Sequence, residues 1–234
     1  MKITRLCLLT AELPALRHFY GTVLGLPVTD WDEYANELPG LRVEVGYSEL
    51  LFYPAPPGHQ PFYHVAFSVP HNQLAEAQQW VQARAELLPL PTGGVVANFV
   101  NWNAHAFYFL DPGGNVLECI ARHDLPNAST APFSAASLLG ISEVGLVVAD
   151  VPAAVKRVRA ETAVDVFSRG PVREDFAAIG DDRGLLILVR EGRPWFPTSR
   201  PAESHYLWGQ GVDYWLHTQW EHGRSPWLYP NRPA

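Results

Sequence analysis

The sequence predicts an α+β protein built from repeated βαβββ modules, and three observations support this fold class. An order of strand, helix and further strands can be followed three times along the 234 residues. Residues 146–153 align with residues 8–15 at a constant offset of 138 (146 − 8), and both segments combine an apolar strand, an acidic residue and an early helical proline. Residues 181–188 align with residues 111–118 at an offset of 70 (181 − 111). Such internal repetition indicates an architecture more firmly than any single element does.

The first module begins with an apolar strand at residues 3–10. A helix starts at residues 12–14, where Pro14 lies in the first turn and its missing N–H costs no hydrogen bond. The apolar residues of this helix keep helical spacing up to Gly25, namely Leu13, Leu16, Tyr20 and Leu24. Short strands follow at residues 42–45 and 49–53, and a connector rich in Pro and Gly at residues 54–61 ends the module.

The second module opens with an alternating strand at residues 62–69 and a helix from Asn72, which the segment at 89–94 breaks. It ends in a hairpin whose strands, residues 107–110 and 116–120, are joined by turn-forming Asp, Pro, Gly and Asn residues. Glu118 stands out in the second of these strands. A buried carboxylate is costly unless a positive or hydrogen-bonding group meets it.

We predict that the first two modules pair into one domain at residues 1–125, because one module is too small to bury its own sheet face. A linker at residues 126–139 leads to a third, partial module at residues 140–192. The Trp- and Pro-rich tail at residues 193–234 lacks clear periodicity, so we expect irregular structure packed on an apolar surface or a subunit interface. Because the third module has no partner within the chain, we expect a homodimer in which it packs against its own copy.

Composition excludes several classes of protein. A net charge of −7 and a pI near 5.7 argue against a general nucleic-acid binder. No apolar run approaches the roughly 20 residues that a membrane span needs, and the N-terminal residues lack the apolar core of a signal peptide. The two cysteines form no disulfide framework, so we expect a cytoplasmic protein without membrane or nucleic-acid partners.

Four features together resemble the vicinal oxygen chelate superfamily, which includes glyoxalase I, fosfomycin- and bleomycin-resistance proteins and extradiol dioxygenases. They are the helix end at residues 19–26, the strand start at 63–67, the strand end and turn at 108–112, and Glu118. The resemblance covers residues 3–122 well and residues 141–190 weakly. It implies that paired modules curl into a half-open, mixed β-sheet barrel, as in the glyoxalase, bleomycin-resistance and dihydroxybiphenyl dioxygenase folds. Many reactions use this fold, so the resemblance selects no single one.

The resemblance also implies a divalent metal ion, with His64 and Glu118 as two of its ligands. The third ligand, usually a histidine on the first strand of the partner module, falls at Arg5, which cannot bind a metal because it stays protonated. Arg5 would then bind a substrate carboxylate, or it would pair with Glu118 in place of a metal. Glu49 points to the same side of its strand as Leu51, the residue of the first module that matches Glu118, and it is a less favoured substitute ligand.

Other candidate site residues follow from the same resemblance. Tyr108 lies ten positions before Glu118 (118 − 108), where a tyrosine in relatives reaches the substrate, so Tyr108 is a candidate catalytic residue. The alternative is a core tyrosine whose hydroxyl is satisfied at the rim. Asn101 and Trp102 precede this strand, where a wall of a substrate pocket would lie. In the third module the position of Arg5 is taken by Glu143, and that of Glu118 by a leucine, so we expect this module to be structural.

Two functions remain open. The first is a metalloenzyme of the vicinal oxygen chelate type, dioxygenase-like or glyoxalase- and lyase-like, that uses Fe, Mn, Ni or Zn on a small organic substrate. The aromatic residues near its pocket favour an aromatic or apolar substrate, namely Phe99, Trp102, Phe107 and Tyr108. The second is a metal-free protein of the bleomycin-resistance type that binds and sequesters a small molecule.

Overall fold

The computed structural model describes residues 1–31, 40–161 and 164–211, together with the backbone of strands at 214–217 and 227–230. The first module consists of β1 (Ile3–Thr10), α1 (Leu13–Arg17), β2 (Val28–Trp31), β3 (Gly40–Val45) and β4 (Ser48–Pro54). Helix α1 continues as a π-helical segment, His18–Val23. Leu16 and Tyr20 of its predicted apolar face are buried, and Phe19, which the prediction did not include, is buried beside them.

The second and third modules repeat this order. The second contains β5 (His64–Ser68), α2 (Leu74–Gln82), β6 (Val96–Phe99), β7 (Ala104–Leu110) and β8 (Val116–Arg122). The third contains β9 (Gly140–Val148), α3 (Val151–Glu161), β10 (Phe176–Asp181) and β11 (Gly184–Arg190). Three strands follow in the tail, β12 (Leu207–Gly211), β13 (Tyr214–His217) and β14 (Trp227–Pro230).

The fourteen strands in the described part of the chain form one mixed sheet. In each module the first strand pairs in parallel with the last, as β1 with β4, β5 with β8 and β9 with β11. A helix crosses over between them, which a parallel connection requires. Few helices and one open, mixed sheet confirm the predicted α+β fold of repeated modules.

The pairing between modules differs from our prediction. The first strand of the second module, β5, pairs antiparallel with β9 of the third module, and Val65 lies opposite Val144. The first strand of the first module, β1, pairs antiparallel with β12, and Leu6 lies opposite Gly209. The second module therefore shares its sheet face with the third, rather than with the first, and residues 1–125 are not a self-contained pair.

The tail is also more regular than expected. Strand β12 pairs antiparallel with β1, just as β9 pairs antiparallel with β5. The strands β12, β13 and β14 form an antiparallel meander. The first module thus finds its partner within the chain, which removes the reason for which we expected a homodimer. The homodimer itself stays a prediction.

The two faces of the sheet have different roles. The helices cover one face with the main apolar core, where Leu16, Tyr20 and Phe107 are fully buried. A second apolar cluster on the opposite face includes Tyr108 and Trp195, and it surrounds the polar residues described below. None of the helices in the described residues has the length and apolar character of a membrane span.

Candidate metal centre

Three polar side chains converge above Ala66 in the middle of β5. Ala66 lies opposite Glu118 on β8 and opposite Glu143 on β9, so both carboxylates point to the same face of the sheet as Ala66. His64 precedes Ala66 by two residues and therefore faces the same side. The methyl group of Ala66 leaves space between the three larger side chains. Strand register alone thus brings one imidazole and two carboxylates together.

The three side chains are within reach of one ion. The Nε2 atom of His64 lies 3.4 Å from Oε2 of Glu118 and 3.9 Å from Oε2 of Glu143. One potential ligand atom from each residue lies within 4.8 Å of the other two. His64, Glu118 and Glu143 are only 5%, 2% and 3% exposed, so bulk water does not solvate the two carboxylates. Buried carboxylates need a cation, a proton or hydrogen-bond donors.

The imidazole of His64 is oriented for metal binding. Its Nδ1 atom lies 3.1 Å from the backbone oxygen of Val116, which can only accept a hydrogen bond. Nδ1–H therefore donates to this oxygen, and in the neutral ring the lone pair lies on Nε2, the atom that faces Glu118. Metal-binding histidines use this arrangement, because the second nitrogen fixes the tautomer and the ring orientation.

Glu118 is held by a phenol on the neighbouring strand. Tyr108 lies opposite Glu118 in the β7–β8 pair and donates a hydrogen bond to its carboxylate. Burial and the nearby Glu143 carboxylate raise the pKa of Glu118 well above its usual range, while Arg122 opposes the shift. Burial and the same carboxylates raise the pKa of Tyr108, so its hydroxyl keeps its proton as the donor.

A buried guanidinium neutralises part of this charge. Arg122 is fully buried and forms an ion pair with Oε1 of Glu143, while its Nη1 lies 3.7 Å from Asp182. The other oxygen of Glu143, Oε2, still faces His64. When a bound cation keeps both carboxyl groups ionised, their two negative charges exceed the one positive charge of Arg122. One nitrogen and several oxygen ligands with a residual negative charge suit a divalent cation such as Fe(II), Mn(II), Ni(II) or Zn(II).

The centre opens into a cavity of about 440 Å³, a volume typical of small-molecule sites. His64, Glu118, Glu143 and Tyr108 lie in its lining. Asn101 and Trp102, the predicted pocket wall, line it as well. The cavity therefore brings together five of the six predicted site residues, together with Glu143.

Arg5, the sixth predicted residue, lies elsewhere. It forms an ion pair with Glu49, which also pairs with Arg42 at 2.9 Å, and these residues line a separate, open cleft. Arg5 is placed there because β1 pairs with β12 and β4 instead of β5. The expectation that Arg5 takes the place of the third ligand or binds a substrate carboxylate beside Glu118 is therefore wrong. Glu49 is likewise distant from His64 and is no substitute ligand.

Sequence reasoning missed Glu143 and two aromatic residues. Glu143 is the one charged residue of β9, which is buried throughout, and the signal that drew attention to Glu118 was equally present there. Trp195 and Phe196, in the tail before β12, line the cavity. The Trp195 ring lies 5.4 Å from the His64 ring, and the Phe196 ring lies 5.4 Å from the Tyr108 ring. No periodic signal in the tail could have placed them.

Gly145 allows Trp195 to approach His64. It follows Glu143 by two residues on the same face of β9, and a Cβ atom there would lie 2.9 Å from Cζ2 of Trp195 and 3.1 Å from Cβ of His64. We expect Gly145→Ala to lower the free energy of unfolding by about 1–3 kcal/mol, because the side chain overpacks a closed site. Denaturant unfolding measures this loss. The control is Gly170→Ala, whose Cβ would meet nothing closer than 3.4 Å, and equal stability of the two variants would contradict the prediction.

Comparisons with known proteins support the fold. No protein-family model and no curated protein matches the sequence. Among solved structures, a Bacillus subtilis protein named as a candidate dioxygenase superposes with a TM-score of 0.65 at 14% identity, over 98% of this chain and 84% of that chain. Glyoxalase I from Zea mays superposes with a TM-score of 0.53 at 15% identity, over 80% of this chain and 66% of that chain.

These likenesses concern the fold. Both proteins are members of the vicinal oxygen chelate superfamily, so the architecture implied by the sequence resemblance is confirmed. At 14–15% identity the comparison does not transfer a reaction.

Proposed function

We propose that the protein is a vicinal-oxygen-chelate-type metalloenzyme that acts on a small organic substrate in the cavity above β5. The observation that carries this proposal is the convergence of His64, Glu118 and Glu143 within 4.8 Å in a buried site. These three residues would hold one divalent cation. Such a cation supplies Lewis acidity towards neighbouring oxygens of a bound molecule. The reaction class is dioxygenase-like or glyoxalase- and lyase-like.

The remaining lining residues have roles of their own. Tyr108 orients the Glu118 carboxylate through its hydrogen bond, and it lies where its hydroxyl can also contact a substrate oxygen. Asn101 and Trp102 contribute an amide and an indole to the wall, which suits a ligand with both polar and aromatic parts. Trp195 and Phe196 cover His64 and Tyr108 and reduce the access of water to them.

One observation favours a second function. Arg122 already pairs with Glu143, so part of the buried charge is balanced without a metal. A metal-free protein that sequesters an aromatic molecule could use the same cavity. The two functions differ in one measurable property, which is the retention of a divalent metal ion.

Metal content tests the proposal. We expect protein purified without a chelating column to contain close to one divalent ion per chain by plasma mass spectrometry. His64→Ala and Glu118→Ala should each weaken binding by more than about 100-fold, because even the loss of a residue that only supports a metal ligand costs about 10- to 100-fold. The matched control is His105→Ala. His105 lies on β7 outside the cavity, and its Nδ1 is 2.9 Å from Nε2 of His123.

The alternative outcome is equally clear. If the purified protein neither retains a metal nor binds added Fe(II), Mn(II), Ni(II) or Zn(II) in calorimetry, the metalloenzyme proposal fails. The metal-free binding function then takes its place. Equal losses in the His105 and His64 variants would show that the ion is bound elsewhere.

A further inference from the structure

The rim of the cavity carries a positive charge that no side chain of the described residues neutralises. Arg173 lines the cavity and is exposed, and no ion pair or side-chain hydrogen bond joins it to another residue in the described part of the chain. Its backbone is held beside the cavity, because the backbone N–H of Arg173 donates to the oxygen of Phe176 at 2.8 Å. The second arginine of the lining, Arg193, is already paired with Asp175 at 3.2 Å.

The cavity therefore has two different ends. The buried end holds His64, Glu118 and Glu143, which require a positive charge. The open end holds Arg173, whose exposed guanidinium is available to an anionic group of a ligand. Aromatic rings line the space between them, including Trp102, Phe176 and Trp195. Flat aromatic walls pack well against a planar ligand, and a guanidinium binds a carboxylate through two parallel hydrogen bonds.

We infer that the cavity selects an aromatic ligand that bears an anionic group, and that Arg173 binds this group at the rim. The inference rests on the proposed function for the other end of the ligand, where neighbouring oxygens would face the cation. An arginine that binds a substrate carboxylate was expected from the sequence at Arg5. In the structure Arg173 can fill this role, because it lines the cavity and pairs with none of the acidic side chains that the structure describes.

Two matched probes test the inference, 3,4-dihydroxybenzoate and the neutral catechol. Their affinities are measured by calorimetry for protein stripped with a chelator and for protein loaded with Zn(II), which has no redox chemistry. We expect the carboxylate to bind roughly threefold to tenfold more tightly than catechol, as for a partly exposed charge-assisted pair. This preference should shrink at high salt, because salt screens exposed charges.

Substitutions test whether Arg173 causes the preference for the carboxylate over catechol. Arg173→Gln should reduce the ratio of the two affinities to about one, and Arg173→Lys should retain part of it. Arg183→Gln removes the same charge at an exposed position outside the cavity and should leave the ratio unchanged. An unchanged preference in Arg173→Gln, equal affinities in the unmodified protein, or no binding of either probe would each overturn the inference.

The same measurements separate this inference from the proposed function. If no metal binds but stripped protein still prefers the carboxylate in an Arg173-dependent manner, the metalloenzyme proposal fails and the inference stands. If the metal binds as expected and the preference is absent, only the inference fails.

Discussion

Replacing Arg122 by methionine is expected to lower the free energy of unfolding of the metal-free protein by about 3–5 kcal/mol, the usual cost of breaking a buried ion pair from one side. Arg122 is fully buried and forms an ion pair with Glu143. Methionine fills much of its volume, so the loss reports mainly the unpaired Glu143 carboxylate, with a smaller part from Asp182, and not a large cavity. Urea unfolding of chelator-treated protein measures the change.

A double variant isolates the electrostatic part of this effect. In Arg122→Met combined with Glu143→Gln both charges are absent, and we expect most of the lost stability to return. Arg17→Met is the control, because Arg17 pairs with Asp30 at the surface and exposed pairs contribute about 0–1 kcal/mol. A loss below about 1 kcal/mol in Arg122→Met, or no recovery in the double variant, would show that Glu143 is not held by Arg122.

Contacts outside the three candidate ligands orient their side chains before any metal ion binds. Arg122 fixes one oxygen of Glu143, and Tyr108 and Val116 fix Glu118 and His64. Three different groups outside the triad thus orient its three members. An ion that binds there finds its ligands already arranged, and little of its binding energy is needed to order them.

The elements within each module could be predicted because their signals are local. The proline in the first turn of α1, the turn residues between β7 and β8, and the apolar spacing of α2 each depend on a few neighbouring residues. The alternation of side chains along a strand puts Tyr108 and Phe107 on different faces of the sheet, so the expectation that Phe107 lies near the pocket with Tyr108 is wrong. Tyr108 belongs to the cluster around the cavity, and Phe107 and Phe109 belong to the main core.

The pairing of modules could not be predicted in the same way. The strands β1 and β9 occupy equivalent positions in their modules, and both are apolar strands that begin before a helix. No local sequence signal indicates which of these two strands pairs with β5. That choice depends on contacts between residues far apart in the chain, such as Val65 with Val144. Because Arg5 lies on β1 and Glu143 lies on β9, the wrong strand pairing led us to expect Arg5 beside His64, where the structure has Glu143.

The second large effect is expected at Gly46, in the tight turn between β3 and β4. Gly46 has a φ of +54°, and a Cβ there would overlap the carbonyl group of Leu139 and lie 2.7 Å from the oxygen of Leu138. A left-handed conformation costs an L-residue about 1–2 kcal/mol, and overpacking adds about 1–3 kcal/mol. We therefore expect Gly46→Ala to lower the free energy of unfolding by roughly 2–5 kcal/mol, as measured by urea unfolding.

Gly58→Ala separates the two contributions. Gly58 has a φ of +83°, but a Cβ there would meet nothing within 4 Å, so its variant should show only the backbone cost of about 1–2 kcal/mol. The difference between the two variants then reports the clash with Leu139 alone. Equal losses would show that the backbone at Leu139 moves away freely and that the turn does not press on it.

The clash with Leu139 lies next to the start of β9, the strand that carries Glu143. The turn holds the start of β9 through Tyr47, whose N–H donates to the oxygen of Leu139 at 3.1 Å, and Ser48, whose Oγ accepts from the N–H of Ile141 at 2.9 Å. Glu143 follows two residues later on the same strand. Because backbone atoms cannot rotate out of the way, the added methyl group in Gly46→Ala must shift β9. We expect metal affinity to fall in this variant and to remain unchanged in Gly58→Ala, which calorimetry with Zn(II) measures. Unchanged affinity in both variants would mean that Glu143 is positioned by Arg122 and its own strand partners, independently of the first module.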